Sequence, residues 1–199
     1  MPTHSSIHFY LNWAKERIDE MDATLASLES KGNEMHADAR VKASQVLADL
    51  QKKRDAFRDT VKKQAEANEA AWIKAKEQLE SEWSSFETEV GKYVETFGKQ
   101  IEQQQATFTL QSAAQLKAWR EAADKLRSAG KDFAAERRGE IEATVKRMEA
   151  DAAAAEEKLQ RLNRAGIQSW SALMDALAET RGAFDRANRA AQEAFKRAA

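Results

Sequence analysis

Apolar residues recur near the start of the chain in alternating steps of four and three: Ile7, Leu11, Ala14, Ile18, Met21, Leu25 and Leu28. This is an a/d seam held over three heptads, and it predicts a helix over about 5–30. Ser5 or Ser6 can cap its start, and Gly32 can supply a left-handed residue at its end. Ser30-Lys31-Gly32-Asn33 is the clearest turn signal in the sequence. Beyond it, Asn33 can cap a second helix with Glu34 near the positive end.

The period then changes. One lane reads Met35, Val46, Phe57, Asn68, Leu79, Val90, Ile101, Ser112, Ala123, and a second reads Ala39, Leu50, Val61, Trp72, Trp83, Val94, Gln105, Leu116. A third is polar at Lys42, Lys53 and Gln64, then becomes Ala75, Phe86, Phe97, Phe108 and Trp119. Every step is eleven residues, or three turns at about 3.67 residues per turn, close to the relaxed helix. The lanes keep phase across Gly91 and Gly98. They predict one continuous helix over 33–128, roughly 140 Å long. Either glycine could kink it, at about 1 kcal/mol relative to Ala.

Apolar content leaves the third lane at Gly130, which predicts a chain reversal near Gly130. Asp132 can cap a third helix over 132–163, carrying Phe133, Ile141, Val145, Met148, Leu159 and Leu162. A break around Gly166 leads to a fourth over 168–197, with Trp170, Leu173, Leu177, Phe184, Ala191 and Phe195. The expected fold is therefore all-α and a single domain over 1–199. It is an elongated antiparallel helical bundle or coiled coil built on one very long central helix with hendecad repeats. A second copy of the chain is the expected cover for the part of that helix the others cannot reach.

Composition supports this reading. Of 199 residues, 39 are Ala and only 7 are Gly, and the single proline is Pro2, so little in the chain breaks a helix. The formal net charge of −1 removes a bulk basic field for nucleic acid, which is not expected as a partner. The charge is nevertheless asymmetric, with 18 acidic and 14 basic residues over 1–97 against 15 and 18 over 98–199. No cysteine is present, which excludes disulfides and thiol chemistry. No basic-then-apolar leader and no apolar run of membrane-spanning length is visible, so a cytoplasmic location is expected.

Candidate chemistry is sparse. His4 and His8 have helical metal spacing, but no neighbouring carboxylate completes a site, and His36 stands alone. Carboxylates such as Glu77, Glu80 and Glu82 interleave with Lys74 and Lys76, as on a solvated helix face. Phosphate loops and nucleophile elbows are missing. No catalytic residue, metal ligand or cofactor is expected.

The aromatic stripe of Trp72, Trp83, Phe86, Phe97, Phe108 and Trp119 is the candidate interface. It serves either as a helix–helix seam or as a face that docks on lipid or a hydrophobic granule. Arg181, Arg186 and Arg189 in the last helix are candidate contacts for an anionic surface. The alternative for that helix is packing on the acidic N-terminal half.

The eleven-residue amphipathic repeat from Met35 to Ala123 resembles that of the exchangeable apolipoproteins and, more loosely, the phasins that coat bacterial polyester granules. The resemblance implies a peripheral amphipathic-helix protein on a lipid or granule surface. Apolipoprotein repeats are punctuated by proline, whereas this chain has none within its helices, which favours rigid helices over a bending belt. The leading functional expectation is a non-enzymatic, self-associating coiled-coil scaffold or structural adaptor, with a homo-oligomer or partner helices. The alternative is a peripheral binder of an anionic membrane or granule surface.

Overall fold

Long runs rich in Ala, Glu, Lys, Gln and Leu favour helix at nearly every position, and among the described residues they form six helices of nearly equal length. A computed structural model describes residues 4–98, 101–166 and 169–198, without the side chains of 4–7 and 101. The helices are α1 (His4–Gly32), α2 (Ala37–Gln64), α3 (Glu69–Phe97), α4 (Ile101–Gly130), α5 (Ala135–Ala165) and α6 (Trp170–Ala198). At 28 to 31 residues, α2 to α6 are each roughly 42–47 Å long. No strand occurs among the described residues. No helix among them is long and apolar enough to cross a membrane. The proposed Ser5 or Ser6 cap and the seam position Ile7 lie outside the described side chains.

The single helix expected over 33–128 is three helices. It breaks at Ala65–Asn68, where Asn68 accepts a hydrogen bond from the Ala71 amide at 3.0 Å as an N-cap, and again after Phe97, where Gly98 closes α3 on the Val94 carbonyl at 2.8 Å. The eleven-residue lanes missed these breaks for a geometric reason. The first residues of α2, α3 and α4 lie 32 positions apart. That is one short of three eleven-residue steps, so antiparallel helices of this length keep nearly the same phase as one straight helix. Asn68, a polar exception in its lane, is the cap.

The reversal near Gly130 is present as the end of α4. The caps expected around it are displaced. Asn33 and Asp132 lie inside four-residue connections, and α2 and α5 start after His36 and Ala134, neither of which makes a side-chain cap. Arginines stiffen these connections instead: Arg40 donates to the Met35 carbonyl at 2.9 Å, and Arg138 donates to those of Phe133 at 3.1 Å and Lys131 at 3.0 Å. Gly32 is helical. Among the described residues only Gly166 has a positive φ, of 75°. Gly130 is required by proximity, since a Cβ there would lie 2.8 Å from Ile141 Cγ2.

These matching connections belong to a larger repeat. Ser30, Gly32, Glu34, Met35, Ala37, Asp38 and Arg40 have Ser128, Gly130, Asp132, Phe133, Ala135, Glu136 and Arg138 as counterparts 98 positions later. The same offset relates Ile18, Met21 and Leu28 to Leu116, Trp119 and Leu126, and Leu47, Leu50 and Val61 to Val145, Met148 and Leu159. In the third helix the offset becomes 101, pairing the caps Asn68 and Ser169 and the core residues Trp83 and Phe184. The change matches the three extra residues of α5 over α2. The molecule is thus two copies of one three-helix plan.

Each copy has its own apolar core. Trp13, Met21, Leu25 and Leu28 of α1 pack with Leu50 and Phe57 of α2 and with Trp72, Leu79, Phe86 and Tyr93 of α3. In the second copy, Trp119 and Leu126 of α4, Ile141 and Met148 of α5, and Phe184 and Phe195 of α6 form a core that takes Phe9 from α1. Phe108, Leu159, Leu173 and Leu177 extend it toward the other end. The copies are joined chiefly through α1, which packs antiparallel on α4 and α6.

Candidate functional site

The unusual chemistry lies where the copies meet. Along α1, Asn12, Glu16, Glu20, Thr24 and Ser27 recur at four- or three-residue spacing, so they share a stripe on the helix. On α4, Gln103, Thr107, Gln111 and Gln115 recur every four. All nine are buried. The two rows are joined rung by rung. The hydroxyls of Ser27 and Thr107 lie 2.8 Å apart, Gln111 Nε2 donates to Thr24 Oγ1 at 2.8 Å, and Gln115 Nε2 donates to Glu20 Oε2 at 2.9 Å. Buried polar groups without such partners would each cost about 1–3 kcal/mol, so the rungs tie α1 to α4.

Beyond the third rung α6 joins the seam and the chemistry becomes ionic. Arg181 holds Glu20 in a two-pronged pair, Nη2 to Oε1 at 2.7 Å and Nε to Oε2 at 3.2 Å, and reaches Glu87 of α3 with Nη1 at 3.0 Å. Its guanidinium lies 4.5 Å from the centre of the Trp83 ring. Four residues further along α6, Asp185 takes both Arg17 Nη groups at 2.7 Å. Arg17 Nη1 also donates to Glu16 Oε2 at 2.8 Å and lies over the Trp13 ring. Asn188 closes the seam by donating to the Phe9 carbonyl at 2.8 Å.

Burial sets the electrostatics. Glu16 is 0% exposed. Loss of hydration pushes its carboxyl up to about 8, a rise that Arg17 and Arg181 oppose and that Glu20 and Asp185 reinforce. Glu87 is also raised, chiefly by burial. For Arg181, burial works against the charge, but Glu20, Glu87 and Glu16 outweigh it and hold its pKa above the ordinary value. Arg17 is raised in the same way, by Glu16 and Asp185 against its burial.

The aromatic stripe does not form one face. Trp72, Trp83 and Phe86 are buried in the first core, with Phe97 partly buried against it, whereas Phe108 and Trp119 are buried in the second. The chain breaks after Phe97 separate them. Of the three arginines expected at an anionic surface, Arg181 is buried in the seam, while Arg186 and Arg189 are exposed. The other cations of α6 are paired: Lys196 with Glu69 at 3.2 Å and Arg197 with Glu140 at 2.6 Å. Arg186 and Arg189 take part in no ion pair among the described residues. His8 is exposed, and no cluster of metal-ligating side chains occurs among the described residues.

Sequence reasoning missed Glu16, Arg17, Glu20, Gln111, Gln115 and Asp185. A signal was present: two stripes of polar residues at four-residue spacing, set on the helices beside the apolar seams. No family model matches the chain, and no curated protein or solved structure matches it either.

Proposed function

We propose that this chain is a non-enzymatic structural protein, a scaffold or adaptor that presents charged helix faces on a closed six-helix body. The observation that carries the reading is where the large apolar side chains lie. The stripe residues are used inside the chain, and among the described residues the exposed large apolar side chains are Val41, Ile73 and Leu110, each alone on a different helix. Scattered single side chains of this kind are ordinary surface. Self-association or docking of partner helices would then run through the charged outer faces of α2, α3 and α5, and would weaken with salt. Light scattering against protein concentration at low and high salt tests this. Oligomers that dissociate as salt rises support it, and a monomer under all conditions overturns self-association.

A second reading, a peripheral binder of a lipid membrane or granule surface, is supported by α6. Its buried face carries Leu173, Leu177, Phe184 and Phe195 along with the polar Thr180, Arg181 and Asn188, and Arg186 and Arg189 stand exposed beside it. In the closed molecule that stripe is covered by α4, α5 and Phe9 of α1, so the bundle would have to open first. Vesicles of anionic lipid decide between the readings. Salt-sensitive binding that disappears when the chain is ended before Gly166, with helicity of the remainder retained, favours the surface binder.

A further inference from the structure

The seam carries more negative than positive charge. Glu16 and Glu20 from α1, Glu87 from α3 and Asp185 from α6 are four carboxylates, and they share two guanidiniums, Arg17 and Arg181. α4 faces this cluster with the neutral amide of Gln115. The pairing is uneven. Glu20 has both prongs of Arg181 together with Gln115. Asp185 has both Nη groups of Arg17 and is partly open to water, and Glu87 is nearly half exposed. Glu16 is the fully buried member. It shares one Nη of Arg17 with Asp185, and its Oε1 accepts no hydrogen bond among the described residues. It is the carboxyl for which ionisation is least compensated.

Each three-helix copy keeps its own core, and the surfaces exposed include the polar rungs of α1 and α4 and the charged residues of α6, with Phe9 of α1 and Trp170 of α6, each packed on the other copy's core, as apolar exceptions. We propose that the seam is a pH-sensitive latch: with Glu16 neutral the charges of α1, α3 and α6 hold the two three-helix halves together, and with all four carboxylates ionised the halves part along the seam while each remains folded. This device is independent of which surface or partner the protein serves.

The direction of the pH dependence follows from burial. The carboxyl of Glu16 titrates higher in the closed molecule, near 8, than its ordinary 4.5. The closed form therefore binds the proton more tightly. Its advantage is full below the ordinary value, declines as pH rises, and is gone once pH passes the raised value. The window from weakly acidic to weakly alkaline pH is the one that matters.

The native chain has no cysteine, so two probes can be placed without background. Lys63→Cys at the exposed end of α2 and Glu142→Cys near the start of α5 lie on different halves, both at the end of the bundle away from the Gly98–Ile101 connection. With spin labels on this pair, the interprobe distance at pH 6 and pH 9 is measured together with circular dichroism. The expected result is a separation growing by roughly 10 Å or more at pH 9 with helicity unchanged, since each half retains complete helices. Glu16→Gln, which mimics the neutral carboxyl, should stay closed at both pH values. If that variant does not fold, Glu16→Met supplies the second arm: a neutral side chain of similar length should likewise stay closed at both pH values. A distance that does not change between pH 6 and pH 9 overturns the proposal. So does opening that is identical in Glu16→Gln, or separation accompanied by loss of helix.

Discussion

Replacing Arg181 with Met keeps a long apolar stem but removes the charge at the centre of the seam. Glu20, 1% exposed, would then lose both prongs of its partner and keep only the Gln115 amide. Trp83 would lose the guanidinium over its ring and Glu87 its ion pair. Stranding one member of a buried pair costs about 3–5 kcal/mol, against about 0–1 kcal/mol for exposed pairs. Because Glu87 is partly solvated, the lower part of the buried range applies, about 3 kcal/mol. For a chain of 199 residues this corresponds to a Tm lower by roughly 6–12 °C. The double variant Glu20→Gln with Arg181→Met removes both charges. It should recover most of the loss, giving a coupling of about 2 kcal/mol between the sites. Urea unfolding at pH 7, followed by far-UV circular dichroism with m-values compared, is the assay. Arg181→Met within about 1 kcal/mol of the native chain, or additive effects in the cycle, would refute the view that the seam is a dry ionic structure.

Two further outcomes follow from packing. Trp119→Ala should cost about 3–5 kcal/mol by chemical denaturation because the ring is wholly buried against Phe184, whereas Ile73→Ala, more than half exposed, should stay within about 0.5 kcal/mol. Gly130→Ala should destabilise by about 1–3 kcal/mol because its methyl would meet Ile141 at 2.8 Å, while Gly139→Ala meets nothing within 4 Å and should raise Tm through a gain of up to about 1 kcal/mol in helix propensity.

The all-helical class, the turn after Ser30, the reversal at Gly130 and the break at Gly166 were legible because each left a local mark: a glycine, or apolar residues leaving a lane. The breaks at Ala65–Asn68 and after Phe97 left only Asn68 and Gly98, and the phase of the lanes ran through both. A period read from sequence reports which face a residue occupies, not whether the next turn continues the same helix. Any hairpin spacing close to a multiple of the period hides its own turn. The polar stripes of the seam were visible at four-residue spacing, but their pairing was illegible for a different reason. Glu16, Arg17 and Glu20 read as surface residues because charged side chains are rarely fully buried unless paired. Their partners Asp185 and Arg181 are more than 160 positions away. Helix periodicity holds no information about a pairing of that range.

The two copies of the three-helix plan share their apolar positions but not their charges, and this difference decides how they dock. Arg181 and Asp185 of α6 correspond in α3 to Glu80 and Ser84, 101 positions earlier, both exposed. α6 therefore grips α1, while α3 has no equivalent hold on α4. An apolar surface at the join would be at least as stabilising as buried ion pairs, since removing charges from water cancels much of their attraction. It would also permit several registers of one helix on another. The two arginine pairs permit one: a one-turn shift of α1 would bring the four-residue polar rows Ser27–Thr107, Thr24–Gln111 and Glu20–Gln115 back into step, but it would part Arg17 from Asp185. The apolar pattern thus specifies a three-helix unit twice, and the polar rows specify how the two units combine. A join held by hydrogen bonds and charge has a stability that depends on protonation, which a seam of leucines would lack.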